Sequence, residues 1–109
     1  MADMNGITPL HLSLGLSYDL ASLKLLLDHG ADTNIGDNLI RRTPLHIAVV
    51  GRHTDAAELL LQRGASVNTQ DALHRRTPLF DTVLKGDSSM ISTLLENDAD
   101  VLAEDEEGL

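Results

Sequence analysis

Thr43-Pro44-Leu45-His46-Ile47-Ala48-Val49-Val50-Gly51-Arg52-His53-Thr54, followed by Leu59-Leu60-Leu61-Gln62-Arg63-Gly64-Ala65-Ser66-Val67-Asn68, decides the fold of this 109-residue chain. Threonine before proline is a helix start. The hydroxyl caps a free backbone N–H, and proline takes the first helical position, where its missing donor costs nothing. A first helix therefore begins at Pro44 and ends near Gly51, about two turns on. Thr54 and Asp55 are the expected caps of a second helix, in which Ala56, Ala57, Leu59, Leu60 and Leu61 form a broad apolar face. Gly64 supplies a left-handed stop. Two such short helices are marginal alone, because isolated helices below about 12 residues gain too little from propensity. They need neighbours.

The neighbours are in the sequence. Thr8-Pro9-Leu10-His11, Thr43-Pro44-Leu45-His46 and Thr77-Pro78-Leu79-Phe80 recur at spacings of 35 and 34 residues and use all three prolines. Behind them come Leu25-Leu26-Leu27-Asp28-His29-Gly30-Ala31-Asp32-Thr33-Asn34 and, in the third unit, Leu94-Leu95-Glu96-Asn97-Asp98-Ala99-Asp100-Val101. Helix starts are thus expected at Pro9 and Pro78 as well, with Gly86 and Asp87 marking the break between the helices of the last unit. Repeats of this length stack so that each buries its neighbour's apolar face.

Thr-Pro-Leu-His opening a helix pair, a Leu-rich second helix and a Gly-Ala-Asp-x-Asn close together resemble the ankyrin repeat over nearly the whole chain. The resemblance implies an all-α repeat solenoid, in which stacked antiparallel helix pairs are linked by β-hairpin fingers and the fingers and inner helices form a concave surface. The repeats fall at about 3–36, 37–70 and 71–104, with the start of a further finger at 105–109, and the absence of a polar cap at either end points to a segment of a longer array. The family uses the histidine of the motif to tie helix to finger, a role carried over to His11 and His46. In some relatives the closing asparagine is hydroxylated, which makes Asn34 and Asn68 candidates; a side-chain cap on its own turn is the structural alternative for each. The third unit departs most, with Phe80 for the histidine, Asp98 for the glycine and Leu102 for the asparagine. The first carries one extra residue between its helices, around Gly15 to Ser17.

Composition narrows the chemistry. Without cysteine, disulfides, thiolate metal sites and a cysteine nucleophile are excluded. No metal site is expected from the five histidines, since none has the spacing of a ligand pair. Asp98-x-Asp100 opens like a calcium loop but continues with Leu102 and Ala103 where a ligand and a glycine are needed, and with Leu109 at the twelfth position. No nucleophile elbow, P-loop or dinucleotide fingerprint is present, so neither a catalytic activity nor a cofactor nor a small-molecule substrate is expected. Aromatics are 2% of residues, which leaves an aliphatic core. Apolar runs are far shorter than a membrane span. The expectation is a soluble intracellular protein, cytoplasmic or nuclear, that inserts in no membrane.

The net charge of -9 argues against nucleic acid, but it is unevenly placed. Residues 1–95 hold 8 bases and 10 acids, whereas 96–109 hold 7 acids and no base. Four of the eight bases lie in two fingers, Asp37-Asn38-Leu39-Ile40-Arg41-Arg42 and Asp71-Ala72-Leu73-His74-Arg75-Arg76, which share a one-residue insertion and an Arg-Arg pair at the same phase. Leucine and isoleucine at a loop tip beside arginines have the pattern of an interface core and its rim. The sequence therefore predicts a protein–protein interaction module, or scaffold, whose contacts are Asn38, Leu39, Ile40, Arg41, Arg42, Ala72, Leu73, His74, Arg75 and Arg76, with Val50, Leu84 and Lys85 at the ends of the inner helices. The arginines favour an acidic or phosphorylated segment of another protein. The alternatives are a regulatory or targeting segment of a larger multidomain enzyme or channel, and a self-associating structural repeat.

Overall fold

Each of the three threonines caps a helix. Thr8, Thr43 and Thr77 hold extended backbone, and their hydroxyls accept from the N–H groups of His11, His46 and Phe80 at 3.3, 3.5 and 3.4 Å. The computed structural model describes residues 6–15, 18–36, 41–103 and 108. Among these residues it contains α1 (Pro9–Ser13), α2 (Leu20–Asp28), α3 (Pro44–Val50), α4 (Thr54–Gln62), α5 (Pro78–Lys85) and α6 (Ser88–Glu96). They form three antiparallel pairs, α1 with α2, α3 with α4 and α5 with α6. The inner helices α1, α3 and α5 stack in one row and the outer helices in a second.

The core is aliphatic, as the scarcity of aromatics requires. Leu10, Leu23, Leu45, Leu60, Met90 and Leu94 are fully buried between the pairs. Removing such side chains from water is the main force holding helices of five to nine residues. The effect of stacking shows at one position of the repeat. Leu14 and Val49 are 2% and 1% exposed, whereas Val83, at the same phase in the third pair, is 57% exposed.

One local expectation needs correction. The cap of α4 is not Thr54 or Asp55: Thr54 is the first helical residue, and the N-cap His53 makes no side-chain capping bond. Gly51 does end α3, as its C-cap, but in right-handed backbone at φ −80°, and the left-handed residue is Arg52 at φ 59°. Counted from the proline, Arg52 stands where Gly86, at φ 70°, stands in the third pair. Gly51 is needed for space instead, because a Cβ there would lie 2.7 Å from the His53 ring. By contrast Asp19 and Asp87 do cap α2 and α6, and Gly30 and Gly64 take φ 87° and 94° just after their helices.

Of the fingers, the described residues show a turn rather than strands. Between 71 and 76 the Asp71 N–H donates to the Arg76 carbonyl at 3.0 Å, and the Asp71 carboxylate accepts from the N–H groups of His74 and Arg76 at 3.0 and 3.3 Å. The glycine usual at such a turn is absent. Arg41 and Arg75 occupy the left-handed region in its place, at φ 55° and 57°. Asn38, Leu39 and Ile40 lie outside the described residues.

Candidate functional site: the cleft between the third finger and the inner helices

Side-chain hooks lock each finger onto the helix before it. The His11 ring accepts the Thr8 N–H at Nδ1, 3.0 Å away, which leaves Nε2–H to donate to the Arg42 carbonyl at 3.0 Å. One repeat later Thr43 N–H lies 3.3 Å from His46 Nδ1, and His46 Nε2 lies 3.2 Å from the Arg76 carbonyl. Each ring thus completes a capping box at its own helix start and anchors the arginine just before the next threonine. The structural role carried over to both histidines is what the geometry shows. In the third repeat Phe80 replaces the hook, and the Arg76 guanidinium lies over its ring, 4.9 Å from the centroid.

Anchoring Arg42 and Arg76 places their side chains in an open cleft of about 320 Å³, bounded by the third finger and by α3 and α5. Seven sequence-predicted residues line it: Arg42, Val50, Leu73, His74, Arg76, Leu84 and Lys85. Val50, Leu73 and Leu84 are exposed there, an apolar strip of the kind a partner would cover. Arg41, Ala72 and Arg75 are also exposed but stand outside the lining.

Two residues of the cleft escape a reading for arginines: Asp71 and Asp81. With His46 they form a cluster whose ligand-type atoms lie within 4.8 Å of one another. Burial pushes the Asp81 carboxyl above its ordinary range, the neighbouring Asp71 charge adds to this, and His46, Arg76 and Arg42 oppose it. Burial also lowers the pKa of His46. The cluster is a poor metal site, since both ring nitrogens of His46 are committed, one to Thr43 and the other to the Arg76 carbonyl. Its acids instead balance the cleft arginines, so the floor is mixed in charge rather than basic. A signal for Asp81 existed in the sequence: Leu12 and Ile47 share its phase, three residues after the helix-opening proline, and a carboxylate there breaks an aliphatic pattern.

Asn34 and Asn68 are exposed, and their side chains do not cap their own turns. Asn34 Oδ1 accepts the Ser66 N–H at 2.7 Å, and its Nδ2 donates to the Gly64 carbonyl at 3.0 Å. Asn68 Oδ1 accepts the Asp100 N–H at 2.8 Å. These are bridges to the next repeat, and the local turns are closed by other groups, such as the Asp32 carboxylate on the Asn34 N–H at 2.8 Å.

Paired short helices in two stacked rows, capped by Thr-Pro and joined by histidine and asparagine bridges, define a helical repeat solenoid. The family model described as ankyrin repeats (3 copies) matches residues 1–71, and the chain belongs to the ankyrin-repeat family. Ankyrin repeats are in general non-catalytic modules of protein–protein interaction. The third helix pair, beyond the matched residues, continues the same stack. No curated protein sequence matches the chain. Among the described residues no helix is long and apolar enough to cross a membrane.

Proposed function

We propose that the concave groove formed by the fingers and the inner helices binds a segment of a partner protein, centred on the cleft between the third finger, α3 and α5. The observation that supports this best is the meeting of Val50, Leu73 and Leu84 with Arg42, Arg76 and Lys85 in one open cleft. An apolar strip within a charged rim is the usual anatomy of a recognition patch. Asp71 and Asp81 offset the arginines inside the cleft, so an acidic or phosphorylated side chain of the partner belongs at the rim, against the exposed Arg41 and Arg75. Ala72 extends the same surface along the third finger, and Asn38, Leu39 and Ile40, which lie outside the described residues, are proposed as contacts from their sequence phase alone. Asn34 and Asn68 are proposed as hydroxylation sites, which peptide mass spectrometry checks directly.

Peptides selected from a display library by the full chain test the groove. Leu73→Asp and Leu84→Asp, both at exposed positions, are expected to weaken the selected peptides about tenfold each while leaving the melting temperature unchanged. Undiminished binding in both variants would move the site elsewhere.

A further inference from the structure

We propose that the groove takes a lysine side chain of the partner segment, its ammonium seated between the carboxylates of Asp71 and Asp81. This rests on the groove reading above and adds to it the residue type at the centre of the site. The place lies inside the stack, with Arg42 and Val50 of the second repeat on one side and the third finger and α5 on the other.

Both carboxylates lack donors. Asp71 is 8% exposed, and its Oδ1 accepts two backbone N–H groups of the turn, those of His74 and Arg76. Its Oδ2, like both carboxylate oxygens of Asp81, accepts no hydrogen bond and joins no ion pair among the described residues. Arg42 and Arg76 attract Asp81 only from a distance, and the Arg76 guanidinium lies over the Phe80 ring. An acceptor left unmatched in a recess costs free energy that an incoming donor recovers.

Geometry selects the donor. The ligand-type atoms of His46, Asp71 and Asp81 lie within 4.8 Å of one another. One nitrogen about 2.8 Å from an oxygen on each carboxylate spans that gap. A guanidinium grips a carboxylate by both oxygens in a planar fork, and Asp71 has one oxygen already taken. A metal ion would need a third ligand, and both ring nitrogens of His46 are committed. An ammonium needs no fork and gives one proton to each acid. Val50, Leu73 and Leu84 offer hydrocarbon to its methylene stem. Arg42, Arg76 and Lys85 also line the cleft and repel a cation, but two acids at contact act more strongly than charges further off across open water.

The same row fixes what flanks the lysine. Asp81 stands three residues after the helix-opening proline, where α1 has Leu12, 70% exposed, and α3 has the half-buried Ile47. Neighbouring helices lie about 8–10 Å apart, which an extended chain covers in about three residues. A segment laid across the inner helices therefore reads apolar-x-x-apolar-x-x-Lys, in one direction or the other.

The test takes peptides selected from a display library by the full chain and remade synthetically. A lysine is expected at one common position, with apolar residues three and six positions away. Replacing that lysine by norleucine, or acetylating it, is expected to weaken binding about tenfold or more. Against Asp81→Asn the same replacement is expected to change affinity less than about twofold, because the partner charge is already gone. Should Asp81→Asn not fold, the carboxyl carbon shift of Asp81 in the parent chain reads the contact: at saturation it moves with the lysine peptide and not with the norleucine one. Selected peptides that share no lysine yet lose binding to Leu73→Asp would overturn the proposal and leave the groove in place. So would arginine as effective as lysine, or a norleucine peptide that binds as tightly. Peptides indifferent to both Leu73→Asp and Leu84→Asp would instead remove the groove reading, and the proposal with it.

Discussion

The Tyr18 ring lies flat on the His53 imidazole, with centroids 3.9 Å apart and planes 20° from parallel, and its hydroxyl donates to the Asp55 carboxylate at 2.7 Å. Burial, with the Asp55 carboxylate as acceptor, holds the phenol proton well above its usual range. A residue between the helices of the first repeat thus seats the start of α4 in the second, where no side-chain cap is available.

Gly51 protects that stack. Its missing Cβ would fall 2.7 Å from the His53 ring, so Gly51→Ala must push the imidazole off Tyr18. The expected loss is about 1–2 kcal/mol in urea denaturation, in the range of overpacking. Gly51→Ala made on His53→Ala should add almost nothing, and an undiminished cost there would place the strain elsewhere.

Arg52 stands in the left-handed region that its counterpart Gly86 fills without strain. Arg52→Gly is therefore expected to stabilise by about 1 kcal/mol. The gain is trimmed by loss of the exposed guanidinium bond to the Lys85 carbonyl at 3.3 Å. Thermal melts check the sign: a lower melting temperature would show that this bond outweighs the backbone.

His46 makes stability depend on pH. Its folded pKa is depressed by burial, so the unfolded chain takes up a proton first. The contribution is complete above the ordinary histidine pKa of about 6.5 and is lost as pH falls from there through the folded value. Protonation would also put a hydrogen on Nδ1, against the Thr43 N–H. His46→Phe should lower stability at neutral pH and flatten the slope of urea midpoints below it; a slope as steep as in the parent would reject this assignment.

The two asparagine bridges should differ in weight. Asn34 makes two bonds to the second repeat and Asn68 one to the third. At about 1 kcal/mol or less per exposed bond, Asn34→Ala is expected to cost roughly twice as much as Asn68→Ala. Hydrogen exchange at the Ser66 and Asp100 amides reads each bridge separately.

Arg41 and Arg75 are exposed and already left-handed, so alanine there meets the same backbone strain and stability should hold within about 0.5 kcal/mol. The double variant is expected to slow association with an acidic or phosphorylated partner segment and to reduce its salt dependence. Loss of folding instead would assign the pair to structure.

The fold was legible because Thr-Pro-Leu-His carries its own physics: cap, fixed φ, core leucine and hook recur together. The end of α3 at Gly51 was legible too, but the left-handed residue beyond it was not: phase from the proline puts it at Arg52, an arginine where the third repeat has glycine. Asn34 was misread for a related reason, since its partners lie some thirty residues on, where local turn chemistry does not reach. In the groove, apolar and basic residues could be picked from matching finger phases. Asp71 and Asp81 become part of the site only once stacking brings α3 and α5 side by side around His46.

Among the described residues the two seams of the stack are tied by different polar contacts. Across the first run the His11 hook, both Asn34 bonds, the Tyr18 contacts and the Arg63–Asp28 ion pair at 2.7 Å. Across the second run the His46 hook, one Asn68 bond and the Arg52 bond to Lys85. The groove straddles the second seam, with Arg42 and Val50 on one bank and Asp71 and Asp81 on the other. Whatever occupies that groove acts as a suture, raising the free energy of opening between the second and third repeats.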